Sequence, residues 1–178
     1  MHKVNSDFEW KSEQIIRQKS FLAALRYALD GACYGLQHER NMRRDFWAMN
    51  VILLFDLIVR PPFETVVWSI VAGAIVMAGE LFNTALERVV DLTTDGELFL
   101  LAKIAKDTAA GAVLFLGIGA LAIGLLLLKQ SYPWRFELFS AKNPSGAVTA
   151  GAALCGLWLL QIRRWIWTRK NKSKCLTQ

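Results

Sequence analysis

The sequence lacks most of what would build a cross-linked, metal-stapled or β-rich scaffold. Its three cysteines, Cys33, Cys155 and Cys175, are widely spaced, odd in number and match no metal-binding pattern. They read as free thiols, with Cys33 and Cys155 packed and Cys175 in a basic tail. The two histidines, His2 and His38, are expected to be exposed rather than ligands. Proline occurs only four times: Pro61-Pro62 closes an apolar segment, and Pro133 and Pro144 bracket a connector. There is no glycine-rich phosphate loop. Gly73, Gly79, Gly117 and Gly119 lie in apolar segments, where close helix packing is their expected role. Nothing supports strands, an internal repeat or a low-complexity tract. No charged start followed by an apolar run and a small-residue cleavage site opens the chain, so no signal peptide is expected.

Apolar surface is plentiful instead. The 178 residues are 54% hydrophobic, and the mean hydropathy is +0.30. The length suits one domain, but the composition is rich for a soluble one. The net charge of +6 is clustered, with eight Lys and Arg in residues 1–45 and six in residues 163–174. Such clusters suit nucleic acid or an anionic membrane face. The long apolar runs decide for the membrane, and no nucleic-acid partner is expected.

Residues 1–19 read as a polar arm. In residues 20–44, Phe21, Leu22, Leu25, Ala28, Leu29 and Ala32 recur at helical spacing, with Lys19, Arg26, Asp30 and Gln37 between them. This predicts an amphipathic helix, either lying in the membrane interface or packed on a partner helix. Four apolar segments follow: Phe46–Val59, Val66–Gly79, Thr108–Leu128 and Ser145–Ile162. The first contains Asn50 and Asp56 and is short for a span unless it continues the preceding helix. Asp56, near its far end, is expected in a capping or interface role. Trp134, Phe136 and Phe139 in the connector suit one membrane boundary, and Trp158, Trp165 and Trp167 the other. The predicted fold is all-α: an integral membrane helical bundle with an N-terminal amphipathic helix, three core transmembrane helices and a fourth. Basic residues concentrate in the two terminal regions, which predicts that both termini and the 80–107 loop are cytoplasmic.

That loop opens with Glu80-Leu81-Phe82-Asn83-Thr84-Ala85-Leu86-Glu87-Arg88-Val89-Val90-Asp91. On a helix, with Glu80 at 0°, Asn83 falls at about −60°, Glu87 at about −20° and Asp91 at about +20°. Four polar groups therefore share one face at the end of an apolar run. They form either a solvated or salt-bridged acidic stripe, or a set facing a cation and a reacting group. Two other polar groups are expected on the same side: Glu39 with Arg40, Arg43 and Arg44, and Lys103, Lys106 and Asp107 on one helix face. Acids that suit Mg²⁺, bases that suit phosphate and a carboxylate able to take a proton are the parts needed for phosphoryl transfer.

The run Glu80–Asp91 resembles the signature of the prokaryotic diacylglycerol kinase family, which includes undecaprenol kinases. Ala105-Lys106-Asp107, followed by Ala109-Ala110-Gly111-Ala112-Val113, resembles its second motif. The resemblance covers roughly residues 20–129, leaving an arm at 1–19 and a connector, extra helix and basic tail at 130–178. It implies a bacterial inner-membrane homotrimer with active sites between subunits, Mg-ATP as donor and a membrane-lipid hydroxyl as acceptor. By position it implies Glu80 as general base, and Glu39 and Glu87 as ligands of Mg²⁺ and, through it, of ATP. Asn83 would position the reacting groups, with Arg43 and Asp91 as further positioning candidates. Lys106 and Asp107 would contact the nucleotide, as would Glu97 and, beside it, Tyr27. Where the family often has Glu-Tyr-His, this chain has Glu97-Leu98-Phe99, which keeps only the acid. Two function classes follow: a lipid kinase acting on diacylglycerol or a polyprenol such as undecaprenol, and a catalytically inactive membrane assembly protein. The presence of Glu39, Glu80, Glu87 and Lys106 favours the kinase.

Overall fold

The computed structural model describes residues 21–94 and 99–175. The polar arm, Asp95, Gly96, Glu97 and Leu98 lie outside the described residues. The rest forms α1 (Phe21–His38), α2 (Arg40–Val59), α3 (Phe63–Thr93), α4 (Leu100–Gln130) and α5 (Pro144–Cys175), with no strand among the described residues.

Three helices are long and apolar enough to cross a membrane: α3, α4 and residues Pro144–Ile166 of α5. The segment expected as the first span falls in α2, which is not among them. Its first six residues include Arg40, Arg43, Arg44 and Asp45, and Asp56 lies near its end. Yet α2 packs against α1, α3 and α5, because its apolar residues repeat along one face. Met42, Phe46, Met49, Leu53 and Val59 are all buried. Leu36, Met42 and Phe46 pack with Met77, Leu81 and Leu157, which joins α1, α2, α3 and α5. Met49, Leu53 and Leu154 continue that core along α2. Asn50, buried in this face, turns its side-chain N–H to the Phe46 carbonyl of its own helix at 2.8 Å. Asp56 is 3% exposed and faces Ser69. Its side chain therefore has neither the capping nor the interface role expected of it.

The amphipathic segment ends earlier than residue 44. Glu39 is extended (φ −95°, ψ 127°) and breaks α1 from α2. The packed reading of α1 holds for its second half, where Cys33, Gly35 and Leu36 are buried against the bundle, while Phe21, Leu22 and Leu25 in its first half are exposed. The two expected cysteine positions separate as well, since Cys33 is buried but Cys155 is exposed. Cys155 lies on the outward face of α5.

The glycines divide in the same way. A Cβ on Gly73 would run into Met49 Sδ, and one on Gly79 would lie 2.5 Å from Leu116 Cδ1. These two mark close helix approaches, as expected. Gly117 and Gly119 face open space, so they serve no packing within this chain. The reason is the placement of α4, which touches α3 alone. No residue of its most apolar window is buried.

The far end of the bundle is closed by polar ties. Arg60 takes a left-handed conformation (φ 51°) after α2. Its guanidinium donates to the Leu138 carbonyl at 2.9 Å. Asn143, also left-handed, returns a bond to the Arg60 carbonyl at 2.8 Å. These ties bring the start of α5 onto the α2–α3 turn, where a Cβ on Gly146 would sit 3.0 Å from the Pro61 carbonyl oxygen. Backbone cannot yield there as a flexible side chain can. Gly146→Leu should therefore destabilise the bundle by about 1–3 kcal/mol. Gly156→Leu, which faces open space, should not. Thermal unfolding of both variants in detergent checks the pair.

Candidate functional site

α3 is about 46 Å long, against about 30 Å of bilayer hydrocarbon. One end must emerge, and the end carrying Glu80, Glu87 and Asp91 is the one for which burial in lipid costs most. The helix α3 places Glu80 against the start of α2. Glu80 is 8% exposed. The Asn41 side chain hydrogen-bonds it, and the carboxylates of Asp45, Glu39 and Glu87, in that order of strength, add negative field. Among the described residues no ion pair includes Glu80, so neither Arg88 nor Lys103 neutralises it.

Each neighbouring carboxylate is held differently. Asp45 is half-buried, and one of its oxygens is enclosed without a partner. Burial pushes its carboxyl above the usual range, with Arg44 pulling it back. Glu87 accepts a bond from Asn83 Nδ2 at 2.8 Å, which leaves Asn83 Oδ1 buried and without a partner. Glu39 is held at the α1–α2 break. Its carboxylate lies 3.8 Å from Arg88 Nη2, a loose and largely exposed contact. Arg88 in turn lies over the Tyr34 ring at 6.0 Å.

The structure thus gathers Glu39, Glu80, Asn83 and Glu87, all expected, with Asn41, Asp45 and Arg88. Asn41 and Asp45 were missed as site residues. Their signal was available: they are i, i+4 neighbours on a helix face just before an apolar run, and Asp45 abuts Phe46 directly. Other expected residues stand apart. Lys106 forms an ion pair with Asp91, one turn beyond Glu87, instead of facing Glu80. Asp107 is exposed beside it. Arg43 donates to the Gln37 carbonyl at 2.7 Å rather than to an acid. Tyr27 is 63% exposed and sits about 18 Å along α1 from Glu39. Glu97 lies outside the described residues.

The oxygen donors suit a hard divalent cation. Glu39, Glu87 and the free Asn83 Oδ1 are the kind of ligands Mg²⁺ takes. Among the described residues, no three His, Cys, Asp or Glu converge as a closed metal site.

Two cavities border the group. A groove of about 530 Å³ runs between α2 and α4 with α3 as its floor. It is mostly apolar. It meets the acidic group at Asp45 and ends at Asp56, Ser69 and Ser131, while Glu80 is not in its lining. A smaller cavity of about 320 Å³ lies between α1 and α3, beside Tyr34, Gly35, Leu81 and Arg88.

A diacylglycerol kinase from a Synechocystis species is 42% identical over 110 residues, covering 61% of this chain and 62% of that protein. The chain thus spans about three fifths of that relative. An undecaprenol kinase from Bacillus subtilis is 37% identical over 111 residues, covering 61% of this chain and 85% of that protein. No solved structure matches. The family model described as prokaryotic diacylglycerol kinase matches residues 26–128, which take in α2, α3, nearly all of α4 and the whole acidic group, and the chain belongs to that family.

Proposed function

We propose that the chain is a membrane lipid kinase that transfers the γ-phosphate of ATP to a lipid hydroxyl at the Glu80 group. The observation that carries this reading is a buried carboxylate with an amide and three acids around it and, among the described residues, no cation paired to it. A structural salt bridge would have placed a base there. A proton acceptor needs the vacancy.

Glu80 accepts the proton of the lipid hydroxyl as its oxygen forms a bond to the γ-phosphorus and the bond to the ADP oxygen breaks. Asn41 orients the Glu80 carboxylate. Asp45 stands where the apolar groove meets the acidic group, so a chain lying in the groove brings its polar end to Asp45 and then to Glu80. Glu39 and Glu87 are the residues that would hold Mg²⁺, with Asn83 fixing Glu87. When bound, that ion offsets the charge of the nucleotide phosphates. Arg88, loosely paired with Glu39, is free to move onto phosphate. Lys106 reaches the nucleotide only by leaving Asp91.

The acceptor is diacylglycerol or a polyprenol. The two relatives carry those two names, and the groove's apolar walls suit either chain. The basic termini support a cytoplasmic orientation of the site. The placement of α4, whose apolar span packs on α3 alone, supports assembly with further copies as a homotrimer. Cross-linking in detergent micelles should give a trimer as the largest species. A monomer at all protein concentrations would remove that part of the reading.

Radiolabelled ATP, with diacylglycerol and undecaprenol offered side by side, tests the activity and the acceptor together. Glu80→Gln should lower turnover about 10²- to 10⁴-fold while nucleotide affinity stays near that of the parent, and normal turnover would sink the assignment. Glu87→Gln should instead raise the Mg-ATP concentration needed for half-maximal rate, and chelation of Mg²⁺ should stop the parent. An unchanged nucleotide affinity in Glu87→Gln would end its metal role.

A further inference from the structure

Helix α5 lies wholly beyond the family match, which ends at residue 128. It nevertheless reaches the element that carries Glu39. The break at Glu39 turns the chain out of helical geometry, so carbonyls in the last turn of α1 lose the N–H donors that a continuing helix would supply. Two arginines supply donors to two of these carbonyls. Arg43 Nη1 donates to Gln37 O at 2.7 Å from within the core. Arg164 Nη1 donates to Leu36 O at 3.1 Å from α5. Leu36 is 1% exposed, so water is a poor substitute for that donor.

The contact is one of a row. Arg163 Nη2 meets Asp30 Oδ1 at 2.7 Å, and Cys33 Sγ lies 3.9 Å from Leu160 O. Asp30, Cys33 and Leu36 are three residues apart, so they form one ridge of α1, and α5 lies along it. The same turn of α1 presents Tyr34 to Arg88, and Arg88 approaches Glu39. The end of α1 is therefore fixed from the α5 side before it reaches the acidic group.

We propose that Arg164, supported by the Arg163–Asp30 pair, is a positioning residue for the nucleotide side of the site: it caps α1 where the chain breaks and so sets Glu39 against Arg88 and Glu80. The extension beyond the family core then belongs to the machinery and is more than a membrane anchor. This rests on the reading of Glu39 as a holder of Mg-ATP.

The full-length protein in detergent micelles, with a lipid acceptor at saturation, provides the test. Arg164→Ala should raise KM for ATP about tenfold, the effect of losing one charged hydrogen bond. Its kcat at saturating ATP should stay within about twofold of the parent, because Glu80 is not displaced. Arg164→Lys, which retains a charged donor, should recover part of the affinity. Arg169→Ala, whose parent side chain stacks on Trp165 of the same helix, should change neither constant. If Arg164→Ala does not fold, Asp30→Asn and Arg163→Gln loosen the same seam and should raise KM by a smaller factor. A parent-like KM in a folded Arg164→Ala, or in both of the milder variants, overturns the proposal. A loss confined to kcat does the same. These results leave the kinase reading standing, whereas a parent chain that phosphorylates no lipid hydroxyl overturns both.

Discussion

One carboxylate sets the terms for the rest of this molecule. Glu80 lies on a helix long enough to span a bilayer, it is almost fully enclosed, and among the described residues no base pairs with it. An ionised acid on a membrane helix is costly unless it lies near the end that emerges or finds a partner. The nearby acids Asp45, Glu39 and Glu87 add repulsion instead of relief. A fold selected for stability alone would put Arg88 or Lys103 on Glu80. Instead Arg88 stands beside Glu39, and Lys106 is tied to Asp91. The bases surround the acidic group without entering it, which leaves room for a ligand that brings its own cation and phosphate.

Support for that arrangement comes from a helix whose composition conceals its importance. α2 is too charged at its start and too interrupted to rank as a span, yet its buried face joins α1, α3 and α5. The charged first turns explain both facts. They bring Glu39, Asn41 and Asp45 to the end of the bundle where α3 presents Glu80, and the remaining turns bury Met49 and Leu53 to hold them there. Average hydropathy measures how a helix meets lipid. It does not measure how it meets other helices, and α2 meets mostly helices.

Much of the site was legible because its residues share a helix or a motif. Glu80, Asn83 and Glu87 repeat at helical spacing, and Glu39 stands just before the first apolar segment, so periodicity and topology sufficed to bring them together. What the sequence did not give away depends on contacts between elements. Asp45 becomes part of the group only when α2 docks on α3. Arg43 is engaged by the end of α1, a role visible only once Glu39 is known to break the helix. Lys106 reads as a phosphate ligand by motif, but α3 and α4 fold back on each other and place Asp91 within its reach. The assembly of α5 on α1 was hidden for the same reason: the charges at 163 and 164 look like part of a basic tail until the chain returns to meet Asp30 and Leu36.

The same distinction explains α4. Its apolar surface was legible as the strongest span, and it is also the least packed helix of the chain. Gly117, Gly119 and Gly124 face open space, although glycine on a membrane helix is most useful where another backbone approaches closely. Lipid can cover such a surface at little cost, because apolar side chains gain nothing by leaving lipid for one another. The groove beside α4 is different. It ends in Asp56, whose enclosed oxygen has no partner, and it begins at Asp45, so both ends of an otherwise oily channel are acidic. An apolar molecule with a hydroxyl would match the Asp45 end, which lies one helix away from Glu80. The other end tolerates Asp56 only because Ser69 faces it from α3. Helix α4 is thus a wall of the groove more than part of the core, and its remaining open surface is left for lipid or for a further copy of the chain.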